Sequence, residues 1–379
     1  MVRRLAEEHR VRPVTRLLPE SPMPIKALLP TLIAALLPLA AEACTPPVPH
    51  PQSAELNRIA AVLGGTADTA PASHRSALDQ RWNRLDQRLF PQLDEFREAH
   101  LGSSAGQTVY YPFSGPDLVY LKPLFPDARE WVLTGLEPIG DVPGVDLPAA
   151  ELDSALSQLR GSIQNLLRAS FFVTAEMQRQ FSRHRYTGVT PVLLLFLARQ
   201  QADIRELALI ELAADGQVCA AGSIEGGGVP GVRFTLASES GERQLSYFRM
   251  DLSNGGWDAK PGYQAFLDAR APVRGLVKSA SFLMHGGEFA RVRDWLLGNA
   301  SLIAQDDSGI PYKRFDATQW NLSCVGRYPG PPGSFPGSGQ PDLLKACAGN
   351  PALPFWFGYR RGGHDSHVLV ARRKAPAID

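Results

Sequence analysis

Two stretches of the chain carry polar side chains at spacings that could do chemistry. The first is VYYPFSGPDLVYLKPLFPDAREWVLTGLEP, residues 109–138, with Ser114, Gly115, Asp117 and Glu137. Gly115 lets a ligand approach the backbone, Ser114 can cap a helix, and Pro116 suits a first helical position, where free N–H groups donate hydrogen bonds. Glu137 follows Gly115 by 22 residues, at the end of the next apolar run, where an acid can take the two hydroxyls of a ribose. The second stretch places Lys278, Ser279, Ser281 and His285 along and just after one strand, and Asp306, Asp307 and Ser308 at the end of another. Adjacent carboxylates can hold a raised pKa, and a histidine can shuttle a proton near neutral pH, which is the equipment of hydrolysis or group transfer.

These groups meet only if the elements between them form a parallel sheet. GQTVYYPF reads as a strand, SGPD as a turn, LVYLKPLF as a short helix and REWVLTGLEP as a second strand, a β-α-β unit. Upstream, Leu78, Trp82, Leu85 and Leu89 mark one helical face that Pro91 should kink or split. Residues 148–203 read as helices (Pro148 to Ser170, Thr174 to His184, Pro191 to Gln201), the last apolar all round and therefore buried. Residues 204–255 turn to strands punctuated by Asp215-Gly216 and Gly241-Glu242, the mark of antiparallel hairpins. GLVKSASFLM reads as a strand, FARVRDWLLGN as a helix and SLIAQDD as a strand; FWFGYRR and HVLVARR then close the chain as a hairpin through Gly362-Gly363. The expected fold is α/β, a Rossmann-like mixed sheet flanked by helices with an antiparallel β excursion. In such a sheet the strand carboxyl ends form the ligand crevice, which would gather Ser114, Glu137 and the Asp306-Asp307-Ser308 turn.

Residues 107–140 resemble the first motif of the Rossmann-like S-adenosylmethionine-dependent methyltransferases: strand, glycine loop, helix, Phe125-Pro126-Asp127-Ala128, strand, acid. The closing hairpin is similar to that family's final antiparallel pair. The resemblance implies that Ser114 and Gly115, with Asp117 beside them, face the methionine half of a cofactor and Glu137 its ribose.

With 44% hydrophobic residues, the 379-residue chain can build a large core and is no disordered or fibrous protein. A net charge of +1 gives no overall field for nucleic acid, and none is expected as a partner. Residues 1–43 fit an export signal: Lys26, an apolar run from Ala27 to Ala41 and Ala41-Glu42-Ala43 as the cleavage site, with Met23 as an alternative start. Cys44 then follows the cleavage point, a candidate for lipid attachment and a membrane tether, and TPPVPHP opens a spacer ahead of a short helix within residues 44–70. Residues 71–379 are expected as one large domain. Export to the periplasm or outside the cell allows a disulfide, Cys324 to Cys347, with Cys219 simply buried in a strand.

Other matches read as structure. Gly102-Ser103-Ser104-Ala105-Gly106 fits G-x-S-x-G in the wrong context, and Gly226, Gly228 and Gly231 fit G-x-G-x-x-G before a strand instead of a helix. His364 and His367 lack a third ligand, and no metal site is expected. Arg360, Arg361, Arg372, Arg373 and Lys374 read as a solvated rim. Three functions follow: an exported α/β protein that binds a small polar ligand, with hydrolytic or transfer chemistry; a methyltransferase-like enzyme; or a non-catalytic envelope scaffold.

Overall fold

The computed structural model describes residues 44–163, 185–359 and 365–375. The expected signal at 1–43, the helix at 174–184 and the Gly362-Gly363 turn lie outside the described residues. Among the described residues the chain forms a ten-stranded sheet, and its order places the site.

Strands β1 (Thr108–Tyr111), β2 (Glu130–Gly135), β6 (Gly241–Arg249), β7 (Val273–Val277) and β8 (Ala300–Gln305) run parallel in the order β6-β2-β1-β7-β8. On one side β3 (Ile204–Leu212), β4 (Val218–Ala220) and β5 (Val229–Ser238) continue it antiparallel; on the other, β10 (His367–Arg373) lies antiparallel between β8 and β9 (Trp320–Gly326). From β1 the chain builds outward to β2, and it later returns to place β7 on β1's other flank. The β1/β7 boundary is therefore a topological switch point, where neighbouring connections part and open α/β sheets characteristically place a ligand crevice at the strand carboxyl ends.

Period-two alternation sends side chains to two separate cores. Val109 and Tyr111 join the core beneath α1 (Ser53–Gly64), α2 (Ala72–Arg84), α3 (Phe90–His100), α4 (Leu118–Leu124), α5 (Ala149–Ser162) and α6 (Thr190–Arg199). Tyr110 joins the opposite core, with α7 (Asn254–Ala259), α8 (Pro261–Asp268), α9 (Ala290–Asn299) and α10 (Pro341–Ala346). Helix α6 is buried without a break from Thr190 to Leu197, as its unrelieved apolar sequence requires. The split expected at Pro91 is present: a single π-helical stretch, Leu85–Leu89, separates α2 from α3, whose first turn contains that proline.

Four expectations are corrected. The described part of FWFGYRR, residues 355–359, is not a strand: the partners of β10 are β8 and β9, while Phe355 and Phe357 are buried against the helical core. Their alternating pattern is satisfied by packing, with no ladder. GLVKSASFLM stops as a strand at Val277, because Ser279, Ser281 and Phe282 take left-handed φ angles of 55°, 52° and 58° that no ladder accommodates. Cys219 is not merely buried; it is bonded to Cys44, alongside the expected Cys324–Cys347 bridge. The Cys44 sulfur is thereby taken, and a thioether lipid would need that same atom. Finally, of the expected solvated rim Arg373 is drawn in, half-buried and donating to Ala300 O at 2.8 Å, while Arg372, which donates to His100 O at 2.5 Å, and Lys374 stay exposed; Arg360 and Arg361 lie outside the described residues.

The 44–70 segment belongs to the same packing unit as the sheet. Leu56 and Leu63 of α1 are fully buried, His50 N donates to Leu207 O at 3.0 Å and Ala220 N to Thr45 O at 2.7 Å. No described helix is long and apolar enough to cross a membrane.

Candidate active-site crevice at the strand carboxyl ends

The loop after β1 is shaped by two consecutive constraints. Phe113 sits at φ 57° and Gly115 at φ 53°, so the chain turns back sharply over the end of β2. Ser114 fastens that turn: its N–H donates to Thr134 O at 2.8 Å, and its Oγ accepts from Thr134 N at 3.1 Å. Asp117 then caps α4, accepting from Tyr120 N at 3.3 Å through Oδ1. Its other oxygen faces the crevice, where Lys278 Nζ stands 3.0 Å away and the Tyr111 hydroxyl donates across 3.0 Å. Burial, reinforced by the Asp117 charge, pushes the Tyr111 phenol well up, so it remains a donor.

Lys278 comes from the first residue beyond β7, and its ion pair with Asp117 therefore spans the switch point. Both side chains are almost completely buried, at 1% and 2% exposure. The ammonium also lies 4.2 Å above the Tyr120 ring, a cation-π contact in a desolvated setting. A buried pair of this kind costs several kcal/mol of desolvation per ion, which close geometry and extra hydrogen bonds must offset.

The end of β8 completes the rim. Asp306 accepts from Ser279 N at 3.1 Å on one oxygen, and from Ser308 N at 3.1 Å and Ser308 Oγ at 2.5 Å on the other. Burial raises its pKa, while those donors and the Lys278 charge pull the other way. Ser308 Oγ also accepts from Ala280 N at 2.7 Å, tying the β8 turn to the strained β7 loop. Gln305 clamps the turn from behind through Ile310 N (2.9 Å) and Ile310 O (2.6 Å). The Asp307 carbonyl accepts from His285 Nε2 at 3.1 Å and Gln340 Nε2 at 2.9 Å. Burial lowers the His285 pKa, so a neutral ring donating through Nε2 fits this contact.

Glu137 is buried, not solvated. Tyr247 of β6 donates to its carboxylate at 3.0 Å, and a side chain at Gly135 would collide with both groups and press on the Gly115 backbone. Gly135 therefore has to be small for the acid to lie against Gly115.

Comparison with protein-family models, with curated proteins and with solved structures finds no match for this chain. The site accordingly has to be read from its own geometry.

Parallel pairing brings Ser114, Gly115, Asp117, Glu137, Lys278, Asp306, Asp307 and Ser308 to one rim, with His285 joined to it through Asp307. Sequence reasoning missed the tyrosines. Tyr120 and Tyr247 read only as core aromatics, and Tyr111, in YYPF, as core or a sugar platform, although each puts its hydroxyl or ring on a charged member of the rim. It also missed the cover. Tyr359 donates to Ser279 O at 2.7 Å, accepts from Ser281 N at 3.1 Å and stacks with Phe282 at 6.4 Å, while burial pushes its phenol up to about 12. Gly358, at φ 73°, lies directly on the Asp306 carboxylate. The Tyr120 hydroxyl holds the same segment by donating to Trp356 O at 2.8 Å. A Gly-Tyr pair just after an aromatic run is the signal that could have marked this strap.

Proposed function

We propose that this chain binds a small polar ligand in the switch-point crevice between β1 and β7, beneath the 353–359 strap. The observation that carries the reading is the buried Lys278–Asp117 pair across that crevice. Beside it stand four of the five described non-glycine residues with positive φ: Phe113, Ser279, Ser281 and Phe282. Such conformations cost about 1–3 kcal/mol each and cluster where function holds a backbone in place. A ligand carboxylate or phosphate would compete with Asp117 for Lys278. Asp306, with its raised pKa, would take or give a proton beside it in hydrolytic or transfer chemistry. Two disulfides accord with an oxidising compartment, and the leader pattern with export.

The test is mass spectrometry of small molecules released on denaturing the full chain, purified from an exporting host. Wild type should release a stoichiometric species that the Lys278→Met/Asp117→Asn double variant lacks. That variant removes both charges together and so avoids leaving one buried alone. A wild type that carries nothing, or a double variant that carries the same species, would favour the scaffold reading.

One observation favours a methyltransferase-like second reading: Glu137 lies beside Gly115 at the end of β2, as ribose recognition would need. Against it, Pro112, Phe113 and Pro116 stand where that family keeps small residues, and Tyr247 already engages the acid. Calorimetric titration with S-adenosylmethionine decides it; no heat of binding removes this reading and leaves the first intact.

A further inference from the structure

Ser114, Ser279, Ser281 and Ser308 all stand on the carboxyl-end rim, and three of them spend their hydroxyls on the protein itself. Ser114 Oγ donates to Gly115 O at 2.9 Å and accepts from Thr134 N at 3.1 Å. Ser281 Oγ shares a hydrogen bond of 2.8 Å with the Tyr359 hydroxyl, and Ser308 Oγ donates to Asp306 while accepting from Ala280 N. Ser279 is the exception. Its Oγ is buried without a partner. A hydroxyl removed from water with no hydrogen bond is costly, which points to a use outside the resting fold.

Groups of the crevice and its strap hold the backbone at this serine. Its N–H donates to Asp306 Oδ2 at 3.1 Å, its carbonyl accepts from the Tyr359 hydroxyl at 2.7 Å, and the next N–H, that of Ala280, goes to Ser308 Oγ at 2.7 Å. These bonds keep a residue with a side chain at φ 55°, two positions beyond the end of β7 and ahead of the 3-10 turn Leu283–His285. A serine held in a strained bend between a strand and a helical turn is one way in which an α/β sheet presents a nucleophile at its carboxyl edge. Its neighbours have the matching chemistry. Lys278, the preceding residue, is the buried cation of the crevice, and the carboxylate oxygen that takes the Ser279 N–H is within a χ1 rotation of the Ser279 hydroxyl. Burial raises the Asp306 pKa, which makes its ionised form the stronger base.

We propose that Ser279 is the nucleophile of the crevice and that its substrate is a carboxylic ester of a small polar acid. This rests on the reading of the crevice as a ligand site. Ser279 Oγ attacks the ester carbonyl carbon; the carbonyl π pair moves to its oxygen, where Lys278 steadies the charge, and Asp306 takes the hydroxyl proton. The ester C–O bond then breaks, that proton leaves with the alcohol, and the acyl group stays on Ser279. Water next attacks the acyl carbon and gives a proton to Asp306; the acid departs and the proton returns to Ser279 Oγ. Ester and water thus become acid and alcohol.

A fluorophosphonate, from which a serine nucleophile displaces fluoride, tests this on the full chain with both disulfides intact. Wild type should gain one adduct per chain, placed on Ser279 by peptide mass spectrometry. Ser279→Ala should stay unlabelled at an unchanged melting temperature, because the hydroxyl it loses makes no hydrogen bond. Ser281→Ala, in the same loop, should still be labelled at Ser279, and Asp306→Asn should slow labelling by roughly a hundredfold or more. Wild type left unlabelled, an adduct at any other residue, or a Ser279→Ala chain labelled like wild type would each overturn the proposal; an Asp306→Asn chain labelled at the wild-type rate would overturn the part given to the base. A chain that releases a stoichiometric small molecule while Ser279 takes no label would remove the nucleophile and leave the ligand site standing.

Discussion

The two rims of the sheet solve the problem of buried charge in opposite ways. At the carboxyl ends Lys278, Asp117 and Asp306 are paired or hydrogen-bonded, and the backbone bends into left-handed conformations to achieve this. At the amino ends Glu130 and Arg233 each leave one buried atom unused, and the backbone there is ordinary strand. One rim holds charges together under a strap by distorting the chain; the other leaves the chain relaxed and its valences open. Buried polarity alone thus does not distinguish a closed rim from an open one. The distinction lies in whether the protein supplies a partner for each charge; on the carboxyl-end rim the atom left over is the neutral Ser279 Oγ.

The largest effect should come from breaking the closed rim on one side. Lys278→Ala leaves Asp117 buried and uncompensated and should cost about 3–5 kcal/mol in urea unfolding, whereas Lys278→Met/Asp117→Asn should match wild type or exceed it. Equal losses in both would mean that packing, and not charge, holds the crevice. Next, Gly358→Ala drives a methyl group into the Asp306 carboxylate at a positive φ. It should cost roughly 1–3 kcal/mol and loosen the strap. Trp356, 43% exposed on that strap while every other tryptophan is at most 6% exposed, should then be quenched more readily by iodide.

A pH series sharpens the contrast further. Burial raises Asp306 above its ordinary 3.8, so its contribution to stability is complete below that value and declines as pH rises through the raised one. Melting temperature followed upward from pH 3.5 should show a decline that Asp306→Asn flattens; an unchanged slope in the variant would place the titration elsewhere. The smallest effect belongs to the open rim. Arg129→Ala should change unfolding free energy by less than about 0.5 kcal/mol, because its side chain is exposed.

The parallel core was legible because a strand, a glycine turn, a helix and a second strand sit within 107–137, and local pattern and topology agree there. The acid and lysine members of the crevice followed from that topology. Other features left no local trace. Ser279, Ser281 and Phe282 carry none of the glycine or asparagine that usually announces a left-handed turn. FWFGYRR alternates like a strand yet buries Phe355 and Phe357 through tertiary contacts, where β-propensity is overridden. The Cys44–Cys219 pairing could not be deduced, since four cysteines permit several connectivities. Glu130 and Arg233 come from two strands and Arg270 from the turn after α8, and only the folded sheet makes them neighbours.

The Cys44–Cys219 bond has a further consequence for the sheet's outer margin. Strand β4 is three residues long, and it leaves part of β3 open to any passing chain with unpaired amides. His50 N closes that gap by donating to Leu207 O of β3, Thr45 O takes the Ala220 N–H of β4 beside it, and the sulfur bridge keeps the segment in place. Reductant should therefore act on solubility before it acts on folding: once the clasp is undone, the uncovered margin becomes adhesive, and self-association should set in while the two cores remain intact.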